Sequence, residues 1–95
     1  MSKKSFILQY EYTDDMINKR TPFRADHLKL AEQYLADKKI VAAGAFSPPT
    51  GGQFIFTVES EQDVETFVKN DPYFTNKLVT EYKIREWTVV VGAIK

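Results

Sequence analysis

Ile40-Val41-Ala42-Ala43-Gly44-Ala45-Phe46, Ser47-Pro48-Pro49-Thr50-Gly51-Gly52, Gln53-Phe54-Ile55-Phe56-Thr57-Val58: residues 40–58 divide into an apolar run, a turn-forming run and an alternating run. The first run reads as a buried strand, with Gly44 as its one break. The middle run has the proline and glycine chemistry of a loop, and Gly51-Gly52 reads as part of a turn. In the third, Phe54, Phe56 and Val58 alternate with Ile55, Thr57 and Glu59, the period of a strand. A short loop between two strands predicts a hairpin.

Upstream, Phe6, Leu8, Tyr10 and Tyr12 alternate with Ile7, Gln9 and Glu11, which predicts a strand over residues 5–12. Thr13-Asp14-Asp15 closes it. Thr21-Pro22 reads as a helix start, and residues 22–38 follow with helical spacing. Phe23, Leu28, Leu30, Ala31, Tyr34 and Leu35 fall on one broad face of that helix. Downstream, Ser60 with Asp63 resembles a capping box, and Val64, Phe67 and Val68 form the apolar stripe of a second helix. Asn70-Asp71-Pro72 breaks that helix and starts a further short turn, anchored by Phe74 and Leu78. The last strand is expected from about Glu81 to Val91. Its apolar residues change phase at Trp87, which calls for a bulge or for burial of both faces.

The order is β-α-β-β-α-β. It predicts one α+β domain over residues 1–95, of ferredoxin-like type, with an antiparallel sheet carrying both helices on one face. Ile7, Gln9 and Glu11 would lie on the other face. A sheet covered on one side only invites a partner, so a homodimer is expected.

Composition narrows the function. Thirteen basic residues balance thirteen acidic ones, giving no electrostatic reason to expect nucleic acid or an anionic membrane as partner. The chain has no cysteine, which excludes disulfide and thiol chemistry. With a single histidine as well, a zinc site is not expected. The apolar run behind the basic Met1-Ser2-Lys3-Lys4 is too short for a signal-peptide core, and nothing approaches a membrane span. A cytoplasmic protein is expected.

Two residues of the first helix stand out. Arg24 and His27 fall among Phe23, Leu28, Ala31 and Tyr34 rather than on the polar side. A polar group on a core face needs a hydrogen-bond partner or costs about 1–3 kcal/mol. Imidazole titrates at about 6.5 in water, which suits it to proton transfer. Asp71 can orient it if the two helices pack side by side. The plainer readings are a satisfied core histidine, a capping aspartate and an arginine that snorkels to water. Gly44 could admit a ligand or another backbone, or mark a bulge. Tyr34, Tyr73 and Trp87 could line a pocket or simply fill the core.

Together these segments form a pattern. Arg24-Ala25-Asp26-His27-Leu28 resembles the R-x-x-H-L signature of the YciI-like (YCII-related) family. Ala43-Gly44-Ala45 is similar to its A-G-P segment, Asp71-Pro72-Tyr73 to its D-P-Y or D-P-F segment, and Ile84-Arg85-Glu86-Trp87 to its closing strand. The resemblance implies a dimeric α+β barrel in which two sheets face each other. It implies a site built on a His–Asp pair, here His27 and Asp71, with Arg24 as the arginine of the same motif. Some relatives dehydrochlorinate hydroxyquinol-type aromatics, and the fold resembles muconolactone isomerase. The chain departs from the family at Ala45, where proline is usual, and Phe46 with the Pro48-Pro49-Thr50-Gly51-Gly52 loop is expected to reshape the pocket rim.

The reading favoured by the residues and the resemblance is a small acid–base enzyme acting on a small cyclic or aromatic substrate, by isomerisation or elimination. His27 and Asp71 would be catalytic, and Arg24, Gly44 and Tyr73 would bind the substrate. No metal or redox cofactor is implied. The alternative is a non-catalytic ligand-binding or dimerisation module, in which His27 and Asp71 lock the first helix in place.

Overall fold

A computed structural model describes residues 3–92. Four strands and four helical segments follow one another along the chain. They are β1 (Lys4–Tyr12), α1 (Met16–Lys19), α2 (Arg24–Ala36), β2 (Ile40–Ala45), β3 (Gly51–Val58), α3 (Glu61–Asn70), α4 (Pro72–Thr75) and β4 (Val79–Glu86). The strands form one sheet in the order β2-β3-β1-β4, and every neighbouring pair is antiparallel. This is the ferredoxin-like α+β arrangement, with the central strands contributed by the first and second halves of the chain.

Alternation along β1 and β3 decides which face is covered. Phe6 lies opposite Phe56 and Leu8 opposite Phe54, and these residues are buried beneath the helices. Ile7 lies opposite Ile55 and Gln9 opposite Gln53, on the face without helices. Phe67 of α3 sits at the centre of the core, fully buried. Its ring centroid is 5.0 Å from that of Tyr34, 5.2 Å from Phe54 and 5.3 Å from Phe56. At α3 the Ser60 backbone N–H donates to the Asp63 carboxylate at 3.3 Å, so Asp serves in the capping box where Glu or Gln is usual.

The structure departs from the sequence reading in five places. First, α2 starts at Arg24, two residues later than Pro22, and Phe23 at its N-cap supplies no side-chain cap. Thr21 does not cap it; its hydroxyl donates to the Ile17 carbonyl at 3.4 Å. Second, the short helix α1 precedes it, too brief to show a period. It follows Asp15 in a left-handed conformation (φ 58°) and is pinned by buried Met16. Third, Leu28 and Leu35, expected on the buried face of α2, are 43% and 53% exposed. Fourth, Gly51 and Gly52 are not in the turn. They open β3, paired with Glu11 and Tyr10, and the reversal is confined to Ser47–Thr50. Fifth, β4 starts at Val79 and ends at Glu86, so the phase change needs neither proposed explanation. The second apolar phase lies beyond the strand, where Val90 and Val91 are almost fully exposed. Trp87 keeps one bond to the sheet, its N–H donating to the Ser5 carbonyl at 2.8 Å. The reading of the chain start at Met1-Ser2 lies outside the described residues.

Candidate active site

Asp71 stands where α3 ends and α4 begins. Its extended backbone (φ −77°, ψ 122°) stops α3, and Pro72 follows as the first residue of α4. Its carboxylate then does two things at once. One oxygen, Oδ1, accepts the Tyr73 backbone N–H at 3.0 Å, the bond of a helix cap. The same oxygen lies 2.7 Å from His27 Nδ1. The other, Oδ2, accepts the Tyr10 hydroxyl at 2.8 Å. Asp71 is completely buried, and each of its oxygens is engaged. The capping and histidine-holding readings of Asp71 are therefore the same geometry.

His27 occupies the first turns of α2 and is 6% exposed. A carboxylate only accepts, so Nδ1 carries the hydrogen and donates it. That tautomer leaves the lone pair on Nε2. Nε2 has no protein hydrogen-bond partner among the described residues, nor is it sealed off from solvent. The buried side-chain polar atom left without a partner is Thr57 Oγ1. The imidazole lies flat on the Tyr73 ring, centroids 3.7 Å apart and planes at 5°, and Phe54 meets it edge-on at 6.0 Å. Position, tilt and tautomer are thus all fixed.

The ring forms part of the wall of a pocket of about 230 Å³. Arg20, Arg24, Tyr12 and Tyr73 supply its polar groups, and Gly44 of β2 lies on its wall. Gly44 is a regular strand residue opposite Gln53, and the register shift of β2 lies earlier, between Ile40 and Ala42. A Cβ at Gly44 would point into open space on the face that Gln53 shares, so Gly44 meets the pocket through its backbone alone. The three phenols stay neutral. Burial pushes Tyr10 well above its ordinary range, and the charge and hydrogen bond of Asp71 push it further. Tyr12 is raised mainly by burial, against Arg20. Tyr73 is also raised by burial, which outweighs the opposing pull of Arg20 and Arg24.

The five residues assigned catalytic or binding roles in the sequence border this pocket or hold its histidine: His27, Arg24, Gly44 and Tyr73 line it, and Asp71 lies behind the ring. Tyr34 and Trp87 lie elsewhere, Tyr34 against Phe67 and Trp87 at the bare sheet face. Tyr10, Tyr12 and Arg20 were not anticipated. Tyr10 and Tyr12 share the core phase of β1, which was the available signal. Arg20 sits at the end of α1, a helix the sequence did not reveal. A larger hollow, about 390 Å³, lies on the bare sheet face between Ile7, Gln53, Arg85 and Trp87, without an acid–base pair. Among the described residues no three acidic or histidine side chains are grouped to hold a metal ion, and no helix is long and apolar enough to cross a membrane.

Comparison with known proteins adds an independent line. The family described as YCII-related domain matches residues 5–88. Curated proteins give no sequence match. Among solved structures, the chain is similar to 5-chloro-2-hydroxyhydroquinone dehydrochlorinase (TftG) from Burkholderia phenoliruptrix AC1100, in complex with 2,5-dihydroxybenzoquinone. The two share 25% identity and superpose with a TM-score of 0.78, over 88% of this chain and 93% of the other. A protein from Bacteriodes thetaiotaomicron VPI-5482, assigned as an antibiotic biosynthesis monooxygenase, has the same fold at 8% identity and a TM-score of 0.60, covering 99% and 95%.

Proposed function

The chain belongs to the YCII-related domain family, and from that premise we propose that it is an acid–base enzyme acting on a small cyclic or aromatic substrate. The observation that carries this reading is the His27–Asp71 pair, held at 2.7 Å with Nε2 left unpartnered beside a pocket. His27 Nε2 takes a proton from a carbon or hydroxyl of the substrate. Asp71, buried against Nδ1, stabilises the imidazolium that results. The electron pair left on the substrate spreads onto an oxygen as an enolate or phenolate, and Arg24 holds that oxygen. From this intermediate two outcomes balance. Return of the proton at another atom completes an isomerisation. Return of the proton to a ring carbon that bears halogen makes that carbon tetrahedral; loss of a second hydroxyl proton to Nε2 then forms a C=O bond as the carbon–halogen bond breaks, and release of halide completes an elimination. TftG, described as a dehydrochlorinase and bound to a dihydroxybenzoquinone, supports the second.

We place the protein in the cytoplasm as a homodimer, whose second copy covers the sheet face around Ile7 and Trp87. The lack of cysteine fits a reducing compartment. Sedimentation equilibrium tests the assembly; a monomer at all concentrations removes it.

The test of the activity is chloride release from 5-chloro-2-hydroxyhydroquinone. Wild type is expected to release chloride with His27→Ala slowed by roughly 10²–10⁴-fold, the usual worth of a positioned base. Full turnover by His27→Ala would refute the mechanism. A second reading, a non-catalytic module, draws on the cap bond from Tyr73 to Asp71. It predicts that His27→Phe and Asp71→Asn both destabilise. If both raise the melting temperature, as removal of strained site residues often does, that reading fails.

A further inference from the structure

Arg20 and Arg24 line one small space, and no acidic side chain lines it with them. Neither guanidinium makes an ion pair among the described residues, where the paired groups are Lys4 with Glu86 and His27 with Asp71. The one carboxylate at the site, Asp71, has no exposed surface and is engaged by Tyr10, His27 and the Tyr73 amide. It has no oxygen turned to the pocket for an arginine to reach. The two phenols on the wall, Tyr12 and Tyr73, are neutral donors rather than anions. Two like charges facing one cavity repel each other unless something negative lies between them. Arg20 is also placed by backbone and not by a salt bridge. Its N–H donates to the Met16 carbonyl at 2.8 Å, its carbonyl accepts the Phe23 N–H at 2.9 Å, and Met16 is buried. The volume, about 230 Å³, lies below the roughly 300–1,000 Å³ of sites for drug-sized molecules, so the occupant is small.

We infer that the pocket beside His27 selects small dianions, with Arg24 and Arg20 each holding one anionic group, and that Arg20 is the residue that sets this preference. A singly charged ligand leaves one guanidinium without a partner. A doubly charged one satisfies both through charge-assisted hydrogen bonds. The inference rests on the acid–base reading only for the location of the ligand, and it implies that an uncharged hydroquinone binds less tightly there than a ring bearing two carboxylates.

Isothermal titration calorimetry at low salt distinguishes the cases, with benzoate as the monoanion and the three benzenedicarboxylates as dianions. At least one dicarboxylate is expected to bind wild type ten or more times more tightly than benzoate. Arg20→Met should bring that dicarboxylate down to the benzoate level and leave benzoate within about twofold, while Arg20→Lys keeps part of the gap. Raised salt should narrow the gap, since it rests on charge. The inference is overturned if no dicarboxylate binds better than benzoate, or if the advantage survives in Arg20→Met with the circular dichroism of a folded protein. His27→Ala separates this claim from the mechanism. A pocket that prefers dicarboxylates in a protein without turnover defeats the acid–base reading alone. An active enzyme with no such preference defeats the dianion inference alone.

Discussion

At the scale of single residues, Tyr10 is the partner that makes Asp71 tolerable in the core. A buried carboxylate is costly unless its lone pairs are met, and the Tyr10 hydroxyl meets Oδ2. Tyr10→Phe keeps the ring and removes the donor. It is expected to cost about 2 kcal/mol in chemical denaturation, because the unmet oxygen stays buried. The opposite holds at Thr57, whose buried hydroxyl has no partner among the described residues. Thr57→Val has nearly the same shape and no hydroxyl to desolvate, so it should gain about 1 kcal/mol. A loss in the same assay would mean that the hydroxyl is satisfied after all. His27 and Asp71 were legible in the sequence because each broke a local rule, a polar residue in an apolar sector and an aspartate at a helix break. Tyr10 broke none. A tyrosine in the core phase of a strand looks like any other aromatic, and only the fold shows what its hydroxyl reaches.

At the scale of elements, legibility followed periodicity. β1, α2, β3 and α3 repeat often enough to be read. α1 has four residues, barely one turn, and leaves no period. The start of β3 was hidden for a different reason, since glycine usually signals a turn. Here the two glycines are required by contact, because a Cβ at Gly51 would run into the Tyr10 carbonyl and one at Gly52 would come within 2.7 Å of the Tyr12 hydroxyl. They let β3 pass close to β1 where the site begins. The far side of the β1–β4 pair carries a cross-strand conflict. Glu11 lies directly opposite Glu81, and their shared hydrogen bond and mutual repulsion raise the Glu11 pKa above its ordinary 4.5. A raised folded-state pKa favours the protonated form. That stabilisation is fully present below the unfolded value and is lost as pH rises through the folded one. Glu81→Gln should therefore raise the melting temperature at pH 7 and change it much less at pH 3. An equal gain at both values would put the cause elsewhere.

For the whole molecule, the βαββαβ order and its covered face could be read from the sequence, and the uncovered face with it. The end of β4 could not, because Trp87, Val89 and Val91 alternate like a strand although, among the described residues, only Trp87 bonds to the neighbouring β1, at Ser5. The alkaline limit of the fold is also a global property. Tyr10 and Tyr12 are both raised above their ordinary 10.0, chiefly by burial. In the unfolded chain they ionise near that value, whereas in the folded one they hold their protons. Stability is therefore intact below about pH 10 and falls above it, each phenol contributing a slope of up to about 1.4 kcal/mol per pH unit. Denaturant midpoints measured from pH 8 to 12 should decline from pH 10 onward. A flat profile would mean that these phenols reach water in the folded state.

The Asp71 carboxylate joins four elements at one point: β1 through Tyr10, α2 through His27, and the junction of α3 and α4 through its own backbone and the Tyr73 amide. No one of them can lift away without disturbing the bonds of the others. Fraying that starts at one element is held at this knot, and the Tyr73 amide can exchange with solvent only when the molecule opens cooperatively. The groups that would perform chemistry are thus among the slowest parts of the molecule to loosen, and the mobility a ligand needs for entry has to come from the pocket's other wall, the exposed edge strand β2.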